Sequence, residues 1–417
     1  RPLYYYHDYN SFIFASELKV LYNLSMNKKK IHHFLPANYM IIHNNESDSI
    51  YYNYKNYSSF PCSNISYNSN SLYFSIIDHI QSAVKKRVVN TTERPVGCLL
   101  SGGLDSSLVA ALVNKFYNSH ESLETFSIGL HGSEDLKYAA IVAKHIGSKH
   151  HEIIVDEEDF FNAIPEVIQT IESYDTTTVR ASVGNYLVGK YIKEHSNCKV
   201  IFNGDGADEL MGGYLYFNNA PNCYEFDREC KRLLEDIHMF DVLRSDKSIS
   251  SNGLEARTPF LDRFFVQTYL SLHPDLRNHN KIEKCEKYLI REAFSRKRYS
   301  NKPILPDKIL WRTKEAFSDG VSKKTRSWFE IINEYLDNYE RVVNKDLVEV
   351  KNTTNDELSL EQNYYLDIFN QYYAKHKQII PFYWMPKYVD AKDSSARTLD
   401  IYQKINNEKN DKNIGKV

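Results

Sequence analysis

An apolar run that stops at two glycines is the feature that most constrains the fold of this chain. Residues 96–100 read Val-Gly-Cys-Leu-Leu, Ser101-Gly102-Gly103 follow, and an apolar-periodic stretch continues over Leu104–Phe116. A short apolar run of this kind is typical of a buried strand in a parallel sheet. The sequence therefore predicts a strand, a tight loop and a helix, with the loop at the sheet edge where ligands bind in open α/β folds.

Strands and helices alternate on both sides of this loop. A helix is predicted over residues 72–89, and the next predicted elements after the loop are Glu124–Leu130, 135–146, 151–155 and 199–203. Alternation of this kind produces right-handed βαβ units, so we predict an α/β fold with a parallel sheet covered by helices on both faces. After about residue 213 the pattern is mostly helical, and the polar stretch 344–360 is interpreted as a loop.

The N-terminal part of the chain carries too few elements to form a domain by itself. Residues 3–6 and Phe12–Ala15 predict a hairpin, Ser16 is a predicted helix cap, and residues 39–42 predict one more strand. Such a set cannot bury a core alone. The predicted divisions are therefore the end of another α+β domain, a linker and the main α/β domain, at residues 1–52, 53–70 and 71–417.

Charge and cysteine usage exclude several classes of protein. Lys and Arg number 52 against 54 Asp and Glu. The chain therefore lacks the excess of basic residues that would indicate a nucleic-acid partner, and it lacks the block of like charge that would indicate binding to a membrane surface. No apolar stretch reaches the roughly 18 residues that span a bilayer. The start lacks the pattern of a signal peptide, which predicts a cytoplasmic protein. The six cysteines show no metal-type spacing and predict free thiols of a reducing compartment.

The loop after the predicted strand 96–100, residues 101–107, has the composition of a phosphate-binding loop. Its two glycines let backbone N–H groups approach phosphate oxygens. The following helix directs its positive end toward them, and Ser101, Ser106 and Ser107 add hydroxyl donors. Asp105 has no role in a pure anion site, but it would hold the Mg²⁺ that accompanies a nucleotide. The ending of a Walker A loop is missing. The alternative is an ordinary Gly-Gly turn with capping Ser and Asp.

The loop sequence resembles that of a known enzyme group. Ser-Gly-Gly-Leu-Asp-Ser-Ser after an apolar strand resembles the loop of the ATP pyrophosphatases, which split ATP between the α- and β-phosphates and include asparagine, argininosuccinate, GMP and β-lactam synthetases. Further segments, from Pro2-Leu3-Tyr4-Tyr5 to Ser395-Ala396-Arg397-Thr398-Leu399, resemble the asparagine synthetase family over nearly the whole chain. The resemblance implies an adenine nucleotide alpha hydrolase-like domain, preceded by a remnant of a glutaminase domain.

The resemblance also implies ligand-binding residues. Besides Ser101, Gly102, Gly103, Ser106 and Ser107 of the loop, it implies that Leu99 and Ile128 line an adenosine pocket, where apolar side chains suit the faces of a purine.

A second segment, Tyr174-Asp175-Thr176-Thr177-Thr178-Val179-Arg180, resembles the one that holds aspartate in the family. The resemblance implies substrate binding by Thr177, Thr178 and Arg180, with Arg180 also catalytic. An arginine pairs bidentately with a carboxylate, and threonine hydroxyls complete its hydrogen bonds. A β-branched loop with a surface arginine is the alternative.

A third segment contains the main departure from the family. Asn203-Gly204-Asp205-Gly206-Ala207-Asp208-Glu209 resembles the family's G-E-G-S-D-E and follows another predicted strand. The resemblance implies that Gly204 contacts the nucleotide and that Asp208 and Asp105 bracket Mg²⁺. Asp205 stands where the family has Glu, whose carboxylate is assigned a role in the ammonia step. Aspartate keeps the charge but is one methylene shorter, and a displaced base loses rate. An acidic glycine-rich turn is the alternative.

Two lysines complete the implied set. Lys287 and Lys314 fall on family lysines that contact the β- and γ-phosphates. Mobile positive charges suit a departing pyrophosphate. The alternative for each is a solvated helix lysine. The predicted catalytic residues are therefore Asp205, Lys314 and Arg180.

The implied reaction is the ATP-dependent amidation of L-aspartate through β-aspartyl-AMP, giving L-asparagine, AMP and pyrophosphate, with ATP and Mg²⁺ as cofactors. The family takes nitrogen from glutamine through an N-terminal cysteine. Because residue 1 is Arg, free ammonia is the expected nitrogen source of this chain. Two alternatives stay open: another adenylating synthetase of the β-lactam synthetase type, and a non-catalytic scaffold. No nucleic-acid or membrane partner is expected, and a homodimer is left open.

Overall fold

The structure is a computed structural model, and it describes residues 1–7, 11–24, 27–42, 49–53, 69–91, 94–280, 284–300, 302–313, 320–322, 326–346, 358–374, 376–391, 393–400 and 402. The strands of these residues, numbered in chain order, are β1 (Tyr4–His7), β2 (Phe12–Ala15), β3 (Ile31–His33), β4 (Asn38–Ile42), β5 (Ser49–Asn53), β6 (Val96–Leu99), β7 (Glu124–Leu130), β8 (Lys149–Val155), β9 (Val200–Phe202) and β10 (Glu255–Arg257).

The α-helices of the described residues are numbered in the same way. They are α1 (Leu18–Leu24), α2 (Ser69–Val89), α3 (Leu104–Phe116), α4 (Glu134–Ile146), α5 (Glu157–Asn162), α6 (Ile164–Ile171), α7 (Thr176–His195), α8 (Ala207–Met211), α9 (Cys223–Asp236), α10 (Asp241–Ser250), α11 (Arg263–Ser271), α12 (Pro274–Arg277), α13 (Tyr288–Ala293), α14 (Asp307–Leu310), α15 (Trp328–Asp346) and α16 (Leu360–Tyr373).

A five-stranded parallel sheet lies at the centre of the fold. Its strand order is β10-β9-β6-β7-β8, with Leu99 paired to Phe126 and Cys98 paired to Phe202 across β6. The chain runs from β6 outward through β7 and β8, and then returns to the other side of β6 to form β9. The connections therefore leave the β6–β9 boundary in opposite directions, which is the position where open α/β sheets bind ligands.

Helices cover both faces of this sheet. On one face, Cys98 and Phe202 pack in a core with α2, α3 and α11. On the other face, Phe126 and Ile128 pack in a core with α6 and α7. Side chains alternate between the faces along a strand, and so one sheet can supply both cores. The predicted α/β fold with helices on both faces is confirmed.

The N-terminal segment packs onto the second of these cores. Strands β1, β2 and β3 form a small antiparallel sheet in the order β2-β1-β3. Tyr4, Tyr6, Leu18, Leu21 and Ile31 are buried and belong to the same core as α6 and α7. The segment therefore buries its apolar side against the α/β domain, as expected for a set of elements too small to form its own core. The predicted domain divisions themselves stay a prediction.

The sequence placed several elements at their observed bounds and missed others. Phe12–Ala15, Leu104–Phe116 and Glu124–Leu130 agree with the structure, whereas β3 and β10, each three residues long, were not predicted. Short strands carry too few residues to show a period. The predicted loop 344–360 overlaps the end of α15 and the start of α16, and residues 347–357 of it lie outside the described residues. Residues 54–68 of the predicted linker do as well.

The sequence also gave predictions about the cysteines and about membrane-spanning segments. The five cysteines within the described residues are free thiols, as predicted, and Cys62 lies outside them. Within the same residues, no helix is long and apolar enough to cross a membrane.

Candidate active site

Two loops meet at the carboxyl ends of β6 and β9. A Cβ built on Gly204, after β9, would lie 2.7 Å from the backbone nitrogen of Ser106 at the start of α3. Only glycine lets the loops approach so closely. The cavity that opens beside them is lined by residues of both loops and of α7, α10 and the region before α13. The loop sequences and the sheet topology thus bring the predicted motifs to one place.

The first loop is held in a fixed shape by its own serines. The hydroxyls of Ser101 and Ser106 lie 3.0 Å apart, and Ser106 Oγ accepts from the Ser101 backbone N–H at 3.1 Å. Gly102 has a φ of +72°, and a Cβ there would overlap the backbone of α4. Gly103, the residue before α3, provides no side-chain cap. The first N–H groups of a helix lack intrahelical acceptors, so this uncapped end suits an anion.

Lys287 lies between the two aspartates that were predicted to hold a metal. Its Nζ is 2.5 Å from Asp105 Oδ2 and 2.5 Å from Asp208 Oδ1, so these oxygens are no more than about 5 Å apart. Lys287 has a φ of +56°, a conformation that costs a non-glycine residue about 1–2 kcal/mol. A Cβ on Gly213 would overlap both Lys287 and Asp208. The contact therefore requires an unusual backbone conformation at Lys287 and a residue without a Cβ at position 213.

The carboxylates fit a magnesium ion that is shared with a phosphate. Asp105 Oδ1 is buried and has no hydrogen-bond partner among the described residues. Among those residues, no group of three or more His, Cys, Asp or Glu side chains is placed to hold a metal. Mg²⁺ commonly binds one or two carboxylates and completes its shell with water and substrate phosphates. Two close aspartates beside a phosphate-type loop meet that requirement, whereas they would not form an all-protein metal cage.

The end of the cavity near Asp205 is a network of charged groups. Arg244 Nη2 donates to Asp205 Oδ1 at 3.1 Å and to Asp241 Oδ1 at 2.8 Å. Burial alone would lower the pKa of the Arg244 guanidinium, but the two aspartates raise it above its ordinary value. Burial raises the pKa of the Glu209 carboxyl well above its ordinary value, and Asp241 raises it further. Arg244 is therefore a fixed positive neighbour of Asp205, and the same cavity contains a carboxyl, that of Glu209, which favours its protonated form.

The predicted aspartate-binding segment forms the first turn of α7. Asp175 caps this helix, because its Oδ2 accepts from the backbone N–H and the hydroxyl of Thr178 at 2.8 and 2.7 Å. Asp175 Oδ1 accepts from the Trp384 backbone N–H at 2.7 Å. Burial raises the Asp175 pKa to about 6, although these hydrogen bonds lower it. Thr177 lines the cavity, and its Oγ1 is buried without a partner among the described residues.

Arg180 has a different environment from the one that was predicted. Its Nε donates to Glu361 Oε1 at 2.8 Å, and its Nη1 and Nη2 donate to the two carboxylate oxygens of Asp393 at 2.8 Å. The side chain is only 3% exposed. In this structure the guanidinium joins α7 to the C-terminal region and does not line the cavity. It would have to leave one of these carboxylates to bind a substrate carboxylate.

The cavity brings together most of the predicted residues. Those that line it are Leu99, Ser101, Gly103, Asp105, Ser106, Ile128, Thr177, Gly204, Asp205, Asp208 and Lys287. Those that do not line it are Gly102, Ser107, Thr178 and Arg180. Lys314 lies outside the described residues, directly after Thr313, which lines the cavity. The ligand roles of all these residues stay predictions.

Sequence reasoning missed several polar residues of the cavity, among them Arg244, Arg312 and Asn185. Arg244 and Arg312 both line it, and Arg312 donates to Asp135 Oδ1 at 3.0 Å and to the Ser101 carbonyl at 3.4 Å. Asn185 is 4% exposed, lines the cavity, and has an amide Nδ2 without a partner among the described residues. Asn185 was detectable, because it lies on the same face of α7 as Thr177, eight positions later. The arginines gave no local signal.

Comparison with known proteins identifies the family of the chain. The asparagine synthase family model matches residues 75–227 and 223–387. The protein named asparagine synthetase (glutamine-hydrolyzing) of Gallus gallus is 46% identical over 327 residues, which are 78% of this chain and 56% of that protein. Those of Bos taurus and Homo sapiens are each 45% identical over 326 residues, 77% of this chain and 56% of the relative. The chain thus spans about half the length of these relatives. The chain belongs to the asparagine synthase family.

Proposed function

We propose that this chain catalyses the ATP-dependent amidation of L-aspartate, with β-aspartyl-AMP as intermediate and L-asparagine, AMP and pyrophosphate as products. The observation that carries the proposal is the meeting of the two loops after β6 and β9 at one cavity, which joins a phosphate-type loop to the Asp205–Arg244 pair. The names of the relatives support aspartate and a nitrogen donor as substrates.

The phosphate loop has the role of binding the triphosphate. Backbone N–H groups at the uncapped start of α3 and the hydroxyls of Ser101 and Ser106 would bind phosphate oxygens. Asp105 and Asp208 would hold Mg²⁺, which would supply positive charge to the phosphates. Lys287 would neutralise the charge that builds up on pyrophosphate as it leaves. Leu99 and Ile128 would contact the adenine ring.

The opposite end of the cavity has the role of aligning the acceptor and the nitrogen nucleophile. Thr177 would donate its unpartnered hydroxyl to aspartate, whose β-carboxylate attacks the α-phosphate. Ammonia then attacks the acyl carbon of the adenylate, and AMP leaves. Asp205 would take the proton that the nitrogen loses in this step, and Arg244 would fix the position of the Asp205 carboxylate.

The source of the nitrogen is a part of the same proposal. The relatives are named for glutamine hydrolysis, and ammonia is the nucleophile that we propose for the cavity. The assay is AMP formation from Mg-ATP with aspartate plus ammonium, repeated with glutamine in place of ammonium. Asparagine formed from ammonium is the expected result, and the glutamine assay shows whether the protein also takes nitrogen from glutamine.

The variant Asp205→Glu separates this proposal from its alternatives. Wild-type turnover that the longer carboxylate changes at most several-fold supports an active synthetase. No AMP from the wild type together with AMP from the variant indicates a chain that has lost turnover. AMP that forms only with a different acid indicates a cyclising synthetase. Asp159→Asn, at a residue that does not line the cavity, controls for changes in protein quality.

A further inference from the structure

We propose that Glu172 is a positioning residue that couples the N-terminal segment to the part of the cavity where ammonia reacts. The Glu172 joint consists of Glu172, Lys247 and the backbone N–H groups of Leu18 and Lys19. The inference rests on the proposed function, because it concerns the placement of Asp205. The contacts that carry it run from α1 through α10 to the loop after β9.

The first half of the joint holds the N-terminal segment. The Leu18 backbone N–H donates to Glu172 Oε2 at 2.9 Å, and the Lys19 N–H donates to Glu172 Oε1 at 2.7 Å. Leu18 is fully buried and Glu172 is only 2% exposed. The first residues of α1 are therefore attached to the α/β domain by both oxygens of one buried carboxylate, and not only by apolar packing.

The second half of the joint holds α10. Lys247 donates to Glu172 Oε2, and its side chain is 1% exposed. The ammonium also lies over the ring of Tyr4 in β1, 5.3 Å from the ring centre, where the π-face attracts a cation. Tyr4 is 3% exposed. Lys247 thus contacts both the carboxylate and the N-terminal segment, and both charged side chains of the joint are buried.

Helix α10 connects the Glu172 joint to the cavity. Arg244 is three positions before Lys247, about one helical turn, and it binds Asp205 at 3.1 Å. Ser245, the next residue, accepts a hydrogen bond at 2.6 Å from Asn203, in the loop that contains Asp205. Two neighbouring residues of α10 therefore fix the loop after β9, and any shift of α10 along its axis would reach Asp205 through both.

The unfavourable backbone conformation of Glu172 indicates that the fold requires this residue at this position. Glu172 has a φ of +58°, although a non-glycine residue pays about 1–2 kcal/mol for that conformation. It is the residue that ends α6, and Asp175, the cap of α7, follows three positions later. Glu172 consequently connects the N-terminal segment to α10 with Arg244 and to the start of α7 with Thr177.

The variant Lys247→Met tests the joint, because it removes the link to α10 and leaves the two backbone N–H bonds to Glu172. Removal of one partner of a buried pair leaves an uncompensated charge. The double variant Glu172→Gln/Lys247→Met has no such charge and repeats the test if the single variant does not fold. Lys231→Met is the matched control: Lys231 pairs with Asp227 at 2.7 Å on α9, away from the joint and the cavity.

Three quantities are measured on the full chain: amidation with aspartate and ammonium, affinity for a non-hydrolysable Mg-ATP analogue, and deuterium exchange of residues 18–24 and 241–250. We expect amidation to fall about 10- to 100-fold, because small displacements of a reacting group are costly. Affinity for the analogue should change less than about 2-fold, since the hydrogen bonds that α10 makes at the cavity go to Asn203 and Asp205 and the loop 101–107 is held by its own serines. Exchange should accelerate in both regions, and Lys231→Met should leave all three unchanged.

The result that would overturn the joint is acceleration in residues 241–250 alone, with residues 18–24 at the wild-type rate. Wild-type amidation in the variant, or a matching loss of analogue affinity, would overturn the positioning role. If the wild-type chain forms no AMP, the proposed function fails, and the exchange of residues 18–24 still decides whether the joint exists.

Discussion

The two ends of the cavity are built in different ways. The phosphate end comes from one continuous stretch, residues 101–107, together with Lys287 and Asp208. The acceptor end is assembled from three elements far apart in the chain, because Thr177 lies on α7, Asp205 follows β9 and Arg244 lies on α10. Backbone groups provide most donors at the first end, whereas buried ionic networks position the side chains at the second.

This difference determines how each end should respond to substitution. A site made of backbone N–H groups loses little from a single side-chain change unless the change removes a charge that faces the ligand. A site held by buried ion pairs loses stability as well as function when one partner is removed. Variants at the two ends should therefore differ in the ratio of lost stability to lost binding.

The largest expected loss of stability is at Arg180. Arg180→Met leaves the buried Glu361 and the partly buried Asp393 without their cation, and removal of one partner of a buried pair typically costs about 3–5 kcal/mol. Urea unfolding should show that loss. The matched variant Thr177→Val, which touches the cavity only, should raise the KM for aspartate without a comparable loss. Wild-type stability of Arg180→Met with a raised aspartate KM would instead assign the guanidinium to substrate.

Asp105→Ala should show the opposite ratio. The variant removes one of the two aspartates beside Lys287, and we expect Mg-ATP affinity by calorimetry to fall by at least about 100-fold, which corresponds to about 3 kcal/mol. The unfolding free energy should change much less than for Arg180→Met. Asp307→Asn, an exposed aspartate on α14, is the control. An Asp105→Ala chain that binds Mg-ATP like the wild type would contradict the proposal that Asp105 helps to bind the nucleotide.

The protonation of Asp175 gives a test of the acceptor end through the pH dependence of the free energy of unfolding. Its pKa is raised in the folded chain from 3.8 to about 6, so the folded state holds this proton more tightly than the unfolded state. Its contribution to stability is therefore complete below pH 4 and is lost as the pH rises through about 6, by up to about 3 kcal/mol. Urea unfolding between pH 4 and 7 should show this fall.

The variant Asp175→Asn carries no titrating group and should lack that fall, although its overall stability should be lower because one acceptor is lost. Asp156→Asn, at the cap of α5, should keep the wild-type profile. An unchanged profile in Asp175→Asn would show that burial at the start of α7 does not control the protonation of this carboxyl.

The smallest effect that we expect is the response of the Lys287→Met variant to Mg²⁺. In Lys287→Met, Asp105 and Asp208 lose their shared cation, and Mg²⁺ alone should then stabilise the chain by about 1 kcal/mol, or a few degrees in Tm. The wild type should respond less, because its ammonium already lies between the carboxylates. The measurement is thermal unfolding with and without Mg²⁺ and without nucleotide. An equal Mg²⁺ response in both chains would contradict this arrangement.

The same difference explains what the sequence could predict. The strand before Ser101, the helix Leu104–Phe116 and the strand before Gly204 were predicted because each shows a local pattern of apolar residues and glycines. These patterns also placed Asp105 and Asp208 at one sheet edge. Local patterns are sufficient for the phosphate loop because residues 101–107 are consecutive in the sequence. Lys287, which is 182 positions from Asp105, was predicted only through the family resemblance.

The acceptor end could not be predicted in the same way. The partners of Arg180 are 181 and 213 positions away, and Arg244 reaches Asp205 across 39 positions. No periodicity or spacing connects such residues, because the tertiary fold alone brings them together. The role of Glu172 was missed for the same reason, since its donors on α1 are more than 150 positions away.

The two loops should hold ATP so that cleavage falls between the α- and β-phosphates. The direct measurement is ³¹P NMR of the products when the chain is incubated with Mg-ATP, aspartate and ammonium. We predict AMP and pyrophosphate in equal amounts, and neither product when Asp105→Ala replaces the wild type. ADP and inorganic phosphate as the products would contradict this mode of ATP binding.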